Sequence, residues 1–183
     1  MIPVLNEILF MLTALFIPKP VFVAQETKLN LNLESKTVTI EYKDLTTSND
    51  AAAFARNGLN EIEEATGFHK NYPEVELLSK SIEKKGGKLN ARVTCSFNNQ
   101  EQVLRLLRFN LTRSGESTSS DGLYYHLLPS EDLTSSNGIE IEHKDGILLK
   151  WDKNSTEIQM ELRQNESAKE YLGEMVSIAN YWK

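Results

Sequence analysis

The chain has 183 residues, of which 40% are hydrophobic and 25% are charged, with a net charge of −6 at pH 7 and a single cysteine, Cys95. This length suits one domain that buries an apolar core without crosslinks, and one cysteine excludes an internal disulfide. The acidic net charge repels phosphate groups, so we expect no nucleic-acid partner.

An uncharged apolar run occupies residues 8–17 and is followed by two prolines. The run is too short for a helix that crosses a bilayer core of about 30 Å. It is typical of a secretory signal peptide that is cut after Ala24. Two features depart from that pattern: Glu7 stands where a basic residue is usual, and the bulky Phe22 occupies the third position before the cut.

We therefore predict a signal peptide over residues 1–24 and a single globular domain over residues 25–183. Export would place this domain in the periplasm or outside the cell. The alternatives are an uncleaved segment that anchors the chain in a membrane and a buried N-terminal helix. We expect membrane contact only if the leader is retained.

The first part of the domain predicts a hairpin and a helix. Residues 28–33 and 37–42 alternate between apolar and polar types around a short polar turn, as paired antiparallel strands do. The segment from Ala51 to Thr66 places its apolar residues on one helical stripe. The polar residues before Ala51 are suited to cap this helix.

The middle of the chain predicts a second helix from Pro73 to Gly86, because Val75, Leu78 and Ile82 follow helical spacing. Residues 88–97 then alternate as a strand. Residues 104–112 fit either a strand or the end of a short helix, and we favour a helix to about residue 107. The polar runs 114–122 and 130–137 are predicted surface loops on either side of a strand at residues 123–128.

Three alternating runs, at residues 139–142, 147–151 and 157–163, predict an antiparallel meander with one apolar and one charged face. An Asp-Gly turn joins the first two. A last amphipathic helix is predicted from Ser167 to Trp182, packed on the apolar face. The expected fold class is α+β, a mainly antiparallel sheet with amphipathic helices packed on one face.

The search for chemistry yields isolated residues. His69, His126 and His143 stand alone, with no spacing typical of metal ligands, so we expect no metal and no cofactor. His126 is the one candidate catalytic residue, and it would act with a carboxylate and a serine brought together from distant positions. Cys95 lies in a predicted strand and is expected to be a buried thiol.

The charged face of the meander is the predicted partner surface. Its acidic residues could dock a basic partner, or they could form an ordinary solvated face: Glu140, Glu142, Glu157 and Glu161.

These observations favour an exported non-catalytic domain with a binding or structural role in the cell envelope or outside the cell. Its partner would be a protein or an envelope component. One alternative is a hydrolase with a site assembled around His126. The other is a carrier of small apolar ligands, with a pocket under the C-terminal helix lined by Tyr125, Trp151 and Tyr171.

Overall fold

The computed structural model describes residues 22–66, 74–110, 121–143, 146–168, 170 and 173–182. These residues form mostly antiparallel sheet with two short α-helices and one 3-10 helix, Asn49–Phe54. The α-helices are α1 (Ala55–Glu64) and α2 (Gln100–Leu106). The strands are β1 (Val23–Asn32), β2 (Thr37–Ser48), β3 (Val75–Lys85), β4 (Lys88–Phe97), β5 (Gly122–His126), β6 (Glu131–Ser136), β7 (Ile139–His143), β8 (Gly146–Asp152), β9 (Glu157–Gln164) and β10 (Met175–Ser177).

The strands form two sheets. The large sheet has the order β3-β4-β2-β1-β9-β6, and β10 pairs with the end of β2 that extends past β4. The small sheet has the order β5-β8-β7. The predicted α+β class, dominated by antiparallel sheet, is confirmed at this level.

Alternation in the sequence builds the core of the large sheet. One row of side chains crosses four strands, and all of its members are buried: Met160, Leu29, Ile40 and Val93. Burying each such side chain contributes roughly 1.5–3 kcal/mol. Cys95 lies on the same face, and burial raises the pKa of its thiol to about 12. The predicted hairpin, the strand at residues 88–97 and the buried thiol are confirmed.

Both α-helices begin close to the predicted positions. The side chain of Asn99 caps α2 by accepting a hydrogen bond from the backbone N–H of Gln102, at 3.0 Å. At the C-terminus of α1, the ammonium group of Lys80 donates to the backbone carbonyls of Ile62 and Ala65. Lys80 therefore caps the C-terminus of α1 from a neighbouring strand.

The predicted helix over residues 73–86 is wrong, because residues 75–85 form β3. The pairing of β3 with β4 shifts between Leu77 and Ser79, which marks a β-bulge. The bulge leaves Leu78 56% exposed and moves the inward positions to Lys80 and Ile82. The extra residue imitates helical spacing, and the sequence pattern was therefore misleading.

The predicted C-terminal helix is wrong over most of its length: Ala168 and Glu170 are helical, but none of the described residues from Gly173 onward is. Gly173 has φ +72, and Met175–Ser177 pair with the end of β2 as β10. That end of β2 extends past β4, and its backbone groups need partners that a helix could not provide. The predicted loop at residues 130–137 likewise contains β6, an edge strand whose polar composition resembles that of a loop.

The predicted meander is wrong in its third strand. β7 and β8 form the expected hairpin, but β9 leaves them and pairs with β1 and β6 in the large sheet. The apolar residues of β9 find matching neighbours there, since Ile158 and Met160 lie opposite Leu31 and Leu29. Packing across strands decided the position of β9, and order along the chain did not.

Several predictions concern residues outside the described part. These are most of the signal peptide, residues 111–112 of the ambiguous run, most of the loop at 114–122, the turn at 144–145, His69 and Tyr171. At the border, Val23 and Ala24 are buried and pair with Thr46 and Leu45 in the β1–β2 hairpin. Within the described residues, no helix has the length and apolar character needed to span a membrane.

Candidate functional site

A cleft of about 730 Å³ lies at the end of the large sheet where β1 begins. This volume lies within the range of small-molecule sites, roughly 300–1,000 Å³. Residues from β1, β2, β9 and the C-terminal segment line it: Val23, Gln25, Asp44, Thr46, Gln164, Asn165, Glu166, Ala168, Gly173, Glu174, Met175 and Ser177.

Polar residues of three adjacent strands line the cleft: Gln25 of β1, Asp44 of β2 and Gln164 of β9. Each follows directly on a paired position of the sheet, because Glu26 pairs with Lys43 on one side and with Arg163 on the other. One step deeper, the same three strands carry the buried residues Thr27, Tyr42 and Leu162. The buried core therefore ends next to the polar residues that line the cleft.

Asp44 is held in an unusual conformation. Its φ of +54° lies in the left-handed region, which Asp tolerates better than most residues. The backbone N–H of Asp44 donates a hydrogen bond to the side chain of Asn90 at 3.0 Å, and the carboxylate of Asp44 pairs with Lys88 at 2.8 Å. Asp44 is thus a fixed negative charge at the mouth of the cleft, partly neutralised by Lys88.

The neighbouring polar groups are already ordered. The amide of Gln25 donates to the hydroxyl of Thr46 at 3.3 Å, and that hydroxyl donates to the backbone carbonyl of Val23 at 2.9 Å. Because these donors are used internally, this wall of the cleft offers few free N–H or O–H groups to a ligand.

Gln164 differs from its neighbours. Its side-chain oxygen Oε1 is buried and accepts no hydrogen bond from the described residues. An unsatisfied buried acceptor costs about 1–3 kcal/mol. Gln164 also lines the cleft, so a small rotation of its side chain would let a ligand N–H donor satisfy this acceptor.

The C-terminal segment forms another wall. The backbone carbonyl of Glu174 accepts a hydrogen bond from Asn49 at 3.1 Å, and Ile178 donates to Leu45 at 3.2 Å, so the segment is fixed on both sides of β10. The described lining residues include three acidic side chains, Asp44, Glu166 and Glu174, and no basic one. The cleft therefore favours positively charged hydrogen-bond donors.

The predicted catalytic residue lies elsewhere. His126 ends β5, is 8% exposed, and contacts the ring of His143 edge-on with centroids 5.9 Å apart. Across the described ranges, no group of three or more His, Cys, Asp or Glu side chains could hold a metal ion. The hydrolase alternative stays a prediction.

The residues predicted to line a carrier pocket belong to the core. Tyr125 and Trp151 pack against Phe109 with ring centroids 5.6 and 5.5 Å away, and the indole N–H of Trp151 donates to the Asn137 side chain at 2.7 Å. Tyr171 lies outside the described residues. The carrier alternative stays a prediction without the helix on which it depended.

The four residues of the predicted partner surface do not share one face. Glu140 and Glu142 are exposed on β7, in the small sheet. Glu157 and Glu161 lie on β9 in the large sheet, where Glu161 pairs with Lys43 at 3.1 Å and Glu157 accepts hydrogen bonds from side-chain amides. Of the predicted partner surface, Glu140 and Glu142 therefore remain together on one exposed strand, separate from the other two acids.

A buried acid escaped the sequence analysis. Glu131 begins β6, and burial raises its pKa to about 7, although the backbone N–H of Leu128, the hydroxyl of Tyr125 and the charge of Arg108 all act to lower it. The Leu128 N–H lies 3.2 Å from the carboxylate. Nothing in the local pattern of Ser130–Glu131–Asp132 indicates burial.

No protein-family model, curated protein or solved structure matches the chain. The interpretation of the cleft therefore rests on its own geometry. That geometry combines a buried acceptor with acidic walls, which suits binding of a cationic donor.

Proposed function

We propose that this chain is an exported, non-catalytic binding domain whose cleft takes a small cation rich in N–H donors, such as a primary amine or a guanidinium compound. Gln164 carries the proposal: it lines an acidic cleft, and its buried Oε1 has no hydrogen-bond partner among the described residues. The apolar run of residues 8–17 supports export. Recovery of the chain with an intact Met1 from the cytosol would contradict the export part.

We also propose that α1 and α2 cover the inner face of the large sheet. The buried side chains of Leu59, Ile62 and Val103 support this arrangement, since each belongs to the same apolar cluster as the sheet residues. Covering the apolar part of this face leaves its polar end as the place for a ligand.

Agmatine, which carries a guanidinium and an amine, is a suitable probe for calorimetric titration. We expect saturable binding at one site. Gln164→Leu should weaken it about tenfold or more, because a hydrogen bond to a charged group contributes about 1.5–3 kcal/mol. The same substitution should leave the thermal stability equal or higher, because it removes a buried acceptor without a partner.

The matched control is Gln159→Leu, on the same strand at an exposed position. It should leave agmatine binding within about twofold of the parent chain, as expected for a surface change away from the site. Equal affinity of the parent and Gln164→Leu chains, or no binding to the parent, would contradict the proposal.

A further inference from the structure

The edges of the two sheets are protected to different degrees. β3 carries a bulge between Leu77 and Ser79, and β6 carries a register shift between Leu133 and Ser135. Bulges twist an edge away from flat pairing and discourage the addition of a strand. β3 also carries three lysines, which further discourage pairing.

The outer side of β5 is occupied by another part of the chain. The backbone N–H of Asn110 donates to the carbonyl of Tyr124 at 2.7 Å, and the N–H of Tyr124 donates to the Asn110 side chain at 2.9 Å. Both backbone groups of Tyr124 are therefore used.

β7 has none of these protections. It pairs with β8 residue by residue from Ile139 to His143 without a register shift, and β8 is its only strand neighbour among the described residues. The strand contains no proline or lysine, and Ile139 is 70% exposed. A flat, exposed and partly apolar edge is a template for another strand.

A second copy of the chain is a poor match for this edge. An antiparallel pair centred on Ile141 would put Glu140 opposite Glu142 twice, and like charges directly opposite are destabilising. A shift by one residue would put isoleucines opposite glutamates, which buries carboxylates beside apolar side chains. The alternation of Ile and Glu fits a strand in which apolar and basic residues alternate.

We propose that the outer edge of β7 binds an extended segment of a partner protein in which apolar and basic residues alternate, added as a fourth strand of the small sheet. Backbone hydrogen bonds would hold the segment, and its basic residues would lie opposite Glu140 and Glu142. This interaction is separate from the cleft and from the cation proposed to bind there.

Two capped fluorescent hexapeptides provide the test, one alternating Lys with Val and the other alternating Glu with Val. We expect the basic peptide to bind and the acidic peptide to bind at least about tenfold more weakly, since two cross-strand charge pairs change sign. Bound basic peptide should slow hydrogen exchange in residues 139–143.

The double variant Glu140→Lys, Glu142→Lys should reverse this preference and leave agmatine titration unchanged. Both positions are exposed, so the fold should be unaffected. Glu83→Lys, an exposed acid on the bulged edge β3, is the matched control and should leave the preference as it is. Absence of binding, equal binding of both peptides, an unchanged preference in the double variant, or protection at β3 or β6 would overturn the proposal.

Discussion

The chain holds its carboxyl groups in two contrasting ways. On the outer face of the large sheet, charges alternate in two rows that we call the outer lattice, Lys43–Glu26–Arg163–Asp132 and Arg92–Glu41–Lys28–Glu161. Where the chain passes from the small sheet to the large one, Glu131 is buried, and burial raises its pKa more than the charge of Arg108 lowers it. The outer lattice keeps its charged groups in contact with water, whereas the carboxyl group of Glu131 is shielded from water.

The difference shows that pairing and burial have opposite consequences for the same functional group. Lys43 lies 2.9 Å from Glu26 and 3.1 Å from Glu161, but its side chain is 45% exposed, so water screens both ion pairs. Glu131 has hydrogen bonds but little water, and burial dominates its pKa. We therefore expect stability to depend strongly on Glu131, the one acid buried among the described residues, and weakly on the paired surface ions.

Glu131 should give the largest effect. Its folded pKa of about 7 lies above the ordinary value of 4.5, so the folded state binds the proton more tightly than the unfolded state. Its contribution to stability is fully present below pH 4.5 and is lost as the pH rises through 7. The free energy of unfolding of Glu131→Gln, measured by urea denaturation relative to the parent chain, should rise by on the order of 3 kcal/mol across this window.

A matched control for that experiment is Glu101→Gln, an exposed acid on α2. Its difference from the parent chain, measured over the same pH range, is the baseline for the Glu131→Gln difference. If the Glu131→Gln difference in free energy of unfolding does not rise with pH relative to this baseline, the pKa of Glu131 is not raised in the folded chain. The contrast between the two regions would then be lost.

Lys80 should give an intermediate effect, because its ammonium group is partly buried and bonds to the two carbonyls at the end of α1. Lys80→Met should cost about 1–2 kcal/mol in denaturant unfolding. Lys84→Met, on the exposed part of the same strand, should stay within about 0.5 kcal/mol of the parent chain. Equal costs for the two variants would mean that the cap contributes no stability.

The outer lattice should give the smallest effect. Lys43→Met should change the free energy of unfolding by less than about 1 kcal/mol, and high salt should shrink the difference further. The exposed turn residue Lys153, changed to Met, is the reference for loss of one charge. A salt-independent cost above about 2 kcal/mol would show that the lattice behaves as a buried network.

Strands in which apolar and polar residues alternate regularly could be predicted from the sequence. Strands that depart from this alternation could not. The β1–β2 hairpin and β4 follow period two and were predicted, although β1 begins five residues before its predicted start and β2 ends six residues after its predicted end. The bulge in β3 gave three apolar residues the spacing of a helix, and β10 formed because the end of β2 needed backbone partners. β9 joined the large sheet because of cross-strand packing, which only the folded arrangement defines.

The cleft was beyond sequence reasoning for a related reason. Gln25, Asp44 and Gln164 each stand where an apolar alternation stops, and any one of them resembles an ordinary strand end. They meet in one cleft because β1 pairs with both β2 and β9, which no local pattern reports. The exposed acids Glu140 and Glu142 were correctly placed on a strand, but their separation from Glu157 and Glu161 followed from the position of β9.

The most direct test of the central claim, that the polar end of the inner face binds a cationic donor, is a titration of the isotopically labelled chain with agmatine, followed by amide NMR spectra. The account predicts shifts concentrated at the cleft, including the side-chain amide of Gln164 and the backbone of β10. Shifts centred on the outer lattice, or an unchanged spectrum at saturating probe, would contradict it.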